Sequence, residues 1–293
     1  VSYSTPFWRQ GERFGISYAR SFYSLGGAFS SMDFVGSSQS IGFNWQHNFR
    51  RSRDLNLYGS VRLDFKSMGS EARKMSFRDP KHARNWVFGI NGDNLDRFLT
   101  GGRNTFSLSY TRGNVMIDEP MQRLNDAVTV RTAGHFGKWN LDLTRLQHID
   151  DLLALYLSYS RQWAEKNLDS SEKFSLGGPS GVRAYPVSEA SGDDGWKWTA
   201  ELRWNVPTRE GDTNVWQMIV FVDGGHVSIY HEGYPGYTGP DSRSLYGAGL
   251  GVNWSNDNNW VARVNYAWKL GHEPAVSDSD RSGRFWFQVY KFF

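Results

Sequence analysis

The sequence predicts an all-β fold, a transmembrane antiparallel β-barrel, from three observations. Apolar and polar residues alternate along strand-length runs, and short and long connections alternate strictly between those runs. The 293 residues also combine 16% aromatics with a mean hydropathy of only −0.58.

The alternation is clearest from Trp196 to Val206. There Trp196, Trp198, Ala200, Leu202, Trp204 and Val206 interleave with Lys197, Thr199, Glu201, Arg203 and Asn205. A period of two with one apolar face describes a strand whose faces meet different solvents. Leu55 to Phe65 repeats the pattern, and similar runs occupy Phe106 to Tyr110, Trp139 to Leu143, Leu153 to Tyr159 and Ala262 to Leu270. No helix-period segment of useful length competes with them.

Composition decides what the apolar face meets. A soluble sandwich turns that face inward and needs a large aliphatic core. Here 13 Trp and 14 Tyr suit the aromatic girdles of a barrel, and a polar water-filled lumen accounts for the low hydropathy. A transmembrane helix needs a run of about 18 apolar residues, which the chain lacks. The absence of Cys fits passage through an oxidising periplasm. A net charge of +3 is too small an excess to argue for nucleic acid.

The short connections are Trp8 to Arg13, Arg50 to Asp54, Asp96 to Asn104, Gln147 to Asp151, Pro207 to Asn214 and Ser255 to Asn259. The long ones are Ser21 to Ser38, Lys66 to Asn85, Gly113 to Thr132, Asn167 to Gly195, Ser228 to Arg243 and Gly271 to Gly283. Short periplasmic turns and long external loops are the habit of transmembrane barrels. The aromatic run Phe285 to Phe293 suits a C-terminal strand read by the barrel-assembly machinery. Roughly thirteen strands fit between the connections, whereas single-chain bacterial barrels carry even numbers. The chain opens at Val1-Ser2-Tyr3 as if already inside a strand, without a signal peptide or start methionine. The expectation is therefore one barrel domain over residues 1–293, forming the C-terminal part of a barrel of about 16 strands, with about three strands upstream.

Two segments stand out against this background. Gly178-Pro179-Ser180-Gly181-Val182-Arg183-Ala184-Tyr185-Pro186 puts an arginine on a glycine-flanked loop tip, and Phe221-Val222-Asp223-Gly224-Gly225 puts an aspartate inside an apolar strand. With Trp216, Met218, Val220 and Val222 toward lipid, Phe221, Asp223 and Gly225 face the lumen. If the Asn167 to Gly195 loop folds inward, the Arg183 guanidinium can pair with the Asp223 carboxylate bidentately. In a wet lumen that pair is worth about 1–3 kcal/mol.

These motifs, with Lys166-Asn167-Leu168-Asp169-Ser170-Ser171-Glu172-Lys173-Phe174-Ser175-Leu176-Gly177-Gly178-Pro179 before them, resemble the two-partner secretion transporters of the Omp85 superfamily. The resemblance covers essentially the whole chain. It implies a Gram-negative outer-membrane pore that exports a large haemolysin- or adhesin-type exoprotein, working as a monomer in the lipid bilayer without cofactor or catalysis. It also implies a lumenal plug motif, Gly181, Val182, Arg183, Ala184 and Tyr185, held by the barrel-wall motif Phe221, Asp223 and Gly225. The family pattern reads Val-Arg-Gly-Tyr, so Ala184 departs from it while Arg183 and Tyr185 match. The family's upstream periplasmic domains and plug helix are absent from this sequence.

Other readings compete at each feature. An Omp85-type insertase and a diffusion porin share the barrel, and a carbohydrate hydrolase needs paired carboxylates, for which Glu201 and Asp223 are the nearest candidates. The glycine run Gly177 to Gly181 lacks the Lys-Ser or Lys-Thr pair of a phosphate cradle. Gly247, Gly249 and Gly251 either soften a strand at a bend or leave room for the loop. His135, His148 and His226 show no metal-ligand spacing. Asp193-Asp194 and Asp278-Ser279-Asp280 read as solvated acidic loops in preference to calcium sites.

Overall fold

The computed structural model describes residues 1–7, 9–24, 34–72, 77–209 and 211–292. Residues 8, 25–33, 73–76 and 210, within the expected connections, and the terminal Phe293 lie outside the described residues.

Thirteen strands form one antiparallel sheet in chain order. They are β1 (Ser2–Pro6), β2 (Glu12–Ser24), β3 (Phe34–Arg51), β4 (Leu55–Ala72), β5 (Phe77–Asp96), β6 (Gly102–Ile117), β7 (Gly134–His148) and β8 (Leu153–Ala164), then β11 (Asp194–Asn205), β12 (Val215–Ser228), β13 (Ser242–Ser255), β14 (Trp260–Lys269) and β15 (Gly283–Lys291). Between β8 and β11 the chain makes a two-stranded ladder of its own, β9 (Phe174–Ser175) and β10 (Ser191–Gly192). Among the described residues β1 pairs only with β2 and β15 only with β14, so the sheet has two edges.

The two faces separate as the alternation requires. On β12, Met218 and Val220 are 50% and 55% exposed while Ile219 and Phe221 between them are 4% and 1% exposed. On β11, Leu202 and Trp204 point outward and Glu201 is buried inside. Spin labels on cysteines replacing Trp198 and Leu202 are expected to report hydrocarbon and one replacing Arg203 water, because a cation on the lipid face at midplane costs about 2–4 kcal/mol. Aqueous accessibility at both 198 and 202 would overturn the phase.

Three elements differ from expectation. The Lys66 to Asn85 loop is largely ladder, with Lys66 opposite Ala83 and Gly69 opposite Pro80, and the ends of the Ser21 to Ser38 loop are ladder too, with Ser21 opposite Ser38 and Ser24 opposite Val35. Where a hairpin rises beyond the membrane both faces meet water, so the apolar alternation that marks a strand fades although its backbone bonds continue. The Gly113 to Thr132 loop contains the end of β6 and a helix, α1 (Pro120–Val128), opened by a proline in its first turn. Nine residues are too few for the helical period to declare itself. The third is the β9–β10 ladder, whose two-residue strands are shorter than any alternation can reveal.

Buried apolar side chains gather around the Asn167 to Gly195 loop. One cluster joins Leu176, Val182, Ala184 and Tyr185 to Phe221, Leu245 and Ala267 of the wall, and another joins Leu168 to Ala83, Val115 and Phe136. The loop itself thus supplies the core of the molecule and touches both halves of the sheet, which must therefore curl around it.

Candidate functional site: a loop held inside the barrel

The loop leaves β8 and turns at once. Asp169 caps a single 3-10 turn at Ser170–Glu172, its side chain accepting from the Ser171 N–H at 3.0 Å. After β9 the Leu176 carbonyl accepts from the Val182 N–H at 2.7 Å, and the Gly178 carbonyl from the Gly181 N–H at 3.0 Å, closing a tight tip. The glycines here are steric necessities. Gly178 has φ of +114°, and a Cβ on Gly181 would stand 1.9 Å from the Leu176 carbonyl oxygen.

That fold aims Arg183 at the wall. Its Nε donates to Asp223 Oδ2 and its Nη2 to Asp223 Oδ1, both at 2.8 Å, and its backbone N–H also donates to Oδ2 at 3.1 Å. Nη1 donates to Glu201 Oε1 at 2.7 Å, and the guanidinium lies 3.4 Å above the Phe221 ring. The other Glu201 oxygen accepts from Arg203 at 2.6 and 2.8 Å, and Thr199 donates to Asp223 at 2.8 Å. Two carboxylates and two guanidiniums thus close a neutral network. The Arg183 carbonyl accepts from the Trp286 indole of β15 at 2.7 Å.

The rest of both motifs packs around this pair. Val182, Ala184 and Tyr185 are fully buried, and the Tyr185 hydroxyl donates to the Glu273 carbonyl at 3.0 Å. A Cβ on Gly225 would fall 2.7 Å from Leu176, so that glycine receives the loop. Gly181 shapes the tip and Phe221 floors the guanidinium. The wet-lumen expectation needs correction: Arg183 is 6% exposed and Asp223 0%, because the loop tip seals the pair from water. Breaking it by removing one partner belongs in the range of about 3–5 kcal/mol for a buried ion pair.

Of the three β13 glycines, only Gly247 meets the loop, a Cβ there standing 2.7 Å from the Ala184 methyl. Gly249 leaves room for the Phe221 ring, and Gly251 for Asn265. Gly247→Val is expected to displace the tip by overpacking at about 1–3 kcal/mol. Limited proteolysis of the 176–190 segment should register it, with Gly69→Ala, whose site is open, as the unchanged control.

Sequence reasoning missed two further anchors. At the loop root, buried Glu172 bridges Lys66 of β4 at 2.5 Å and Lys138 of β7 at 3.0 Å and accepts from Asn85 of β5 at 2.8 Å. Asp169 pairs with Lys81 at 3.1 Å. At the outer end, Glu189 pairs with Arg243 and accepts from the Val276 and Ser277 N–H groups at 3.1 and 2.8 Å. Burial pushes the Glu189 carboxyl up, but the donors from Ser277, Arg243 and Val276 outweigh it and hold it below the usual glutamate value. Glu172 stood in the sequence only as one residue of the motif before the loop tip, and its partners lie 34 and 106 residues away.

Asp193 corrects the reading of a solvated acidic loop. It is fully buried, pairs with Lys173 at 2.7 Å and accepts from the His231 and Leu168 N–H groups. Burial raises its carboxyl above the usual value despite Lys173 and those donors. Asp194 contacts His231 at 2.8 Å, Asp278 pairs with Arg284 and Asp280 with Lys269.

A family model described as haemolysin secretion/activation protein ShlB/FhaC/HecB matches residues 1–254. The Heme/hemopexin transporter protein HuxB of Haemophilus influenzae (strain 86-028NP) is 26% identical over 295 residues, spanning 100% of this chain and 51% of the relative. The outer membrane transporter CdiB of Dickeya dadantii (strain 3937) is 26% identical over 278 residues, spanning 91% of this chain and 48% of the relative. Among solved structures, CdiB from Escherichia coli superposes with a TM-score of 0.77 at 19% identity, over 98% of this chain and 51% of that one. CdiB from Acinetobacter baumannii gives 0.69 at 22% identity, over 99% and 49%. The chain spans about half the length of the curated relatives it matches. With its lipid-facing sheet and inward loop, it is an outer-membrane β-barrel and belongs to the haemolysin secretion/activation protein family.

Proposed function

We propose that this barrel is the pore of a two-partner secretion transporter, conducting an unfolded exoprotein to the cell surface without chemistry of its own. The observation that carries the reading is the loop itself, fastened to both halves of the wall and filling the space a substrate must pass. Membership of a family of secretion proteins supports it, as do transporter relatives such as HuxB and CdiB. The nearest carboxylate pair, Glu201 and Asp223, shares the Arg183 guanidinium, so neither oxygen set is free to serve as acid or base. The plug role of Gly181 to Tyr185 and the barrel-wall role of Phe221, Asp223 and Gly225 belong to the same proposal.

We further propose that additional strands join β1 to β15. An open sheet edge in hydrocarbon leaves backbone groups unpaired at several kcal/mol each, so both edges must be covered.

A photo-crosslinker replacing lumen-facing Arg203 in the full-length protein is expected to capture a co-expressed haemolysin- or adhesin-type exoprotein during export. The same group replacing lipid-facing Val220 is expected not to. Capture at both positions, or at neither, would overturn the pore reading.

A further inference from the structure

The lipid face is not a smooth wall. Beside the β3–β4 turn a groove of about 330 Å³ runs over Gly59, walled by Trp45, Phe49, Phe88, Ile90 and Leu108. Two local features make it. Gly59 carries no side chain where its neighbours on the same face are Leu57 and Val61, and a Cβ there would fall 2.8 Å from the Phe49 ring. The ladder also slips between Asn48 and Arg50, leaving Phe49 as an extra residue on β3. Such a bulge re-aims a side chain, here across the empty position at Gly59.

The depth of the groove fits one leaflet. Gly59 lies four residues into β4, about 13 Å along the strand at roughly 3.3 Å per residue. The groove therefore opens just inside the hydrocarbon on the side of the short turns, the periplasmic side in this fold class.

Its mouth is basic. Arg50, Arg51 and Arg53 are all exposed, and among the described residues none makes an ion pair, with Asp54 the one acid of the turn. Arg50 stands opposite Leu57 on the outward face and Arg51 opposite Asn56 on the inward one. Snorkelling accounts for a single arginine at such a rim. Arg50 on the outward face, next to Phe49, and Arg53 in the turn present two guanidinium forks matched to a phosphate.

The geometry points to a binding site for one anionic glycerophospholipid of the periplasmic leaflet. An acyl chain lies in the groove over Gly59 against Phe49, and the headgroup phosphate sits between Arg50 and Arg53. The site is independent of the pore reading, since it uses only the outward face.

Native mass spectrometry of the full-length protein, released from vesicles of phosphatidylethanolamine and phosphatidylglycerol, tests it. The protein is expected to retain one phosphatidylglycerol in preference to phosphatidylethanolamine. Replacing Arg50 and Arg53 together by Gln should lower that retention at least tenfold, and Gly59→Leu should lower it without touching the turn's charge. Arg209→Gln, on the β11–β12 connection, should leave it unchanged. Heat-modifiable migration reports folding, and if the double variant fails to fold, Gly59→Leu and Arg53→Gln carry the test. Equal retention of both lipids would overturn the headgroup assignment. Undiminished retention in the arginine or Gly59 variants, or displacement by glycerophosphoglycerol as effective as by the whole lipid, would overturn the site.

Discussion

Arg183→Ala is expected to leave the barrel folded while releasing the loop tip and abolishing most secretion by the full-length protein. The substitution strands Asp223 and Glu201 side by side with only Arg203 to offset them, in a site where Asp223 has no contact with water. A buried pair broken on one side costs about 3–5 kcal/mol, which shifts the docked and free loop by roughly a hundred- to several-thousand-fold. The barrel does not share this fate, because its stability rests on a ladder whose backbone groups are paired within the membrane. Heat-modifiable migration on gels reports the barrel and protease cleavage within 176–190 reports the loop. Loss of heat-modifiable folding would make the pair a structural pillar, and unimpaired secretion would remove its role in transport.

Glu172→Gln is expected to act from the opposite wall with comparable force. The amide keeps the shape but leaves the Lys66 and Lys138 ammonium groups facing one another without the carboxylate that separates them. Breaking this buried cluster again falls in the range of about 3–5 kcal/mol. Lys66 is the more exposed of the two and can turn to water, so Lys138→Met should restore much of the loss. A single-channel recording separates the anchors: Glu172→Gln should raise conductance with the tip still protected from protease, whereas Arg183→Ala should expose the tip. If Glu172→Gln conducts like the parent, or if Lys138→Met deepens the defect, the root is not an electrostatic anchor.

Much of this was legible in the sequence because the membrane imposes a single rule on every strand. The phase of β11 and β12 follows from two residues of alternation, and Asp223 declares itself as a charge on the inward side of an apolar run. What the sequence withheld depends on closure. Glu201 sharing the guanidinium, Trp286 closing over the Arg183 carbonyl and Glu172 reaching Lys66 and Lys138 are contacts made across the interior. They require knowing how far the sheet curls, which no local pattern encodes. The extended ends of β4 and β5 were hidden for the opposite reason, since outside the bilayer nothing forces one face to be apolar. Burial of the Arg183 network was misjudged because it is the loop's own apolar residues, Leu176, Val182 and Tyr185, that exclude water.

Those apolar residues give the loop a thermal character. A latch made only of charges would open with little change in heat capacity, but withdrawing this one hydrates the side chains packed at Phe221, Leu245 and Ala267. Hydrating apolar surface raises the heat capacity, so the equilibrium between seated and withdrawn loop follows a curve with temperature, loosening on cooling as well as on warming. Clearing the channel is in that sense a miniature unfolding reaction, carried out inside a barrel that stays folded.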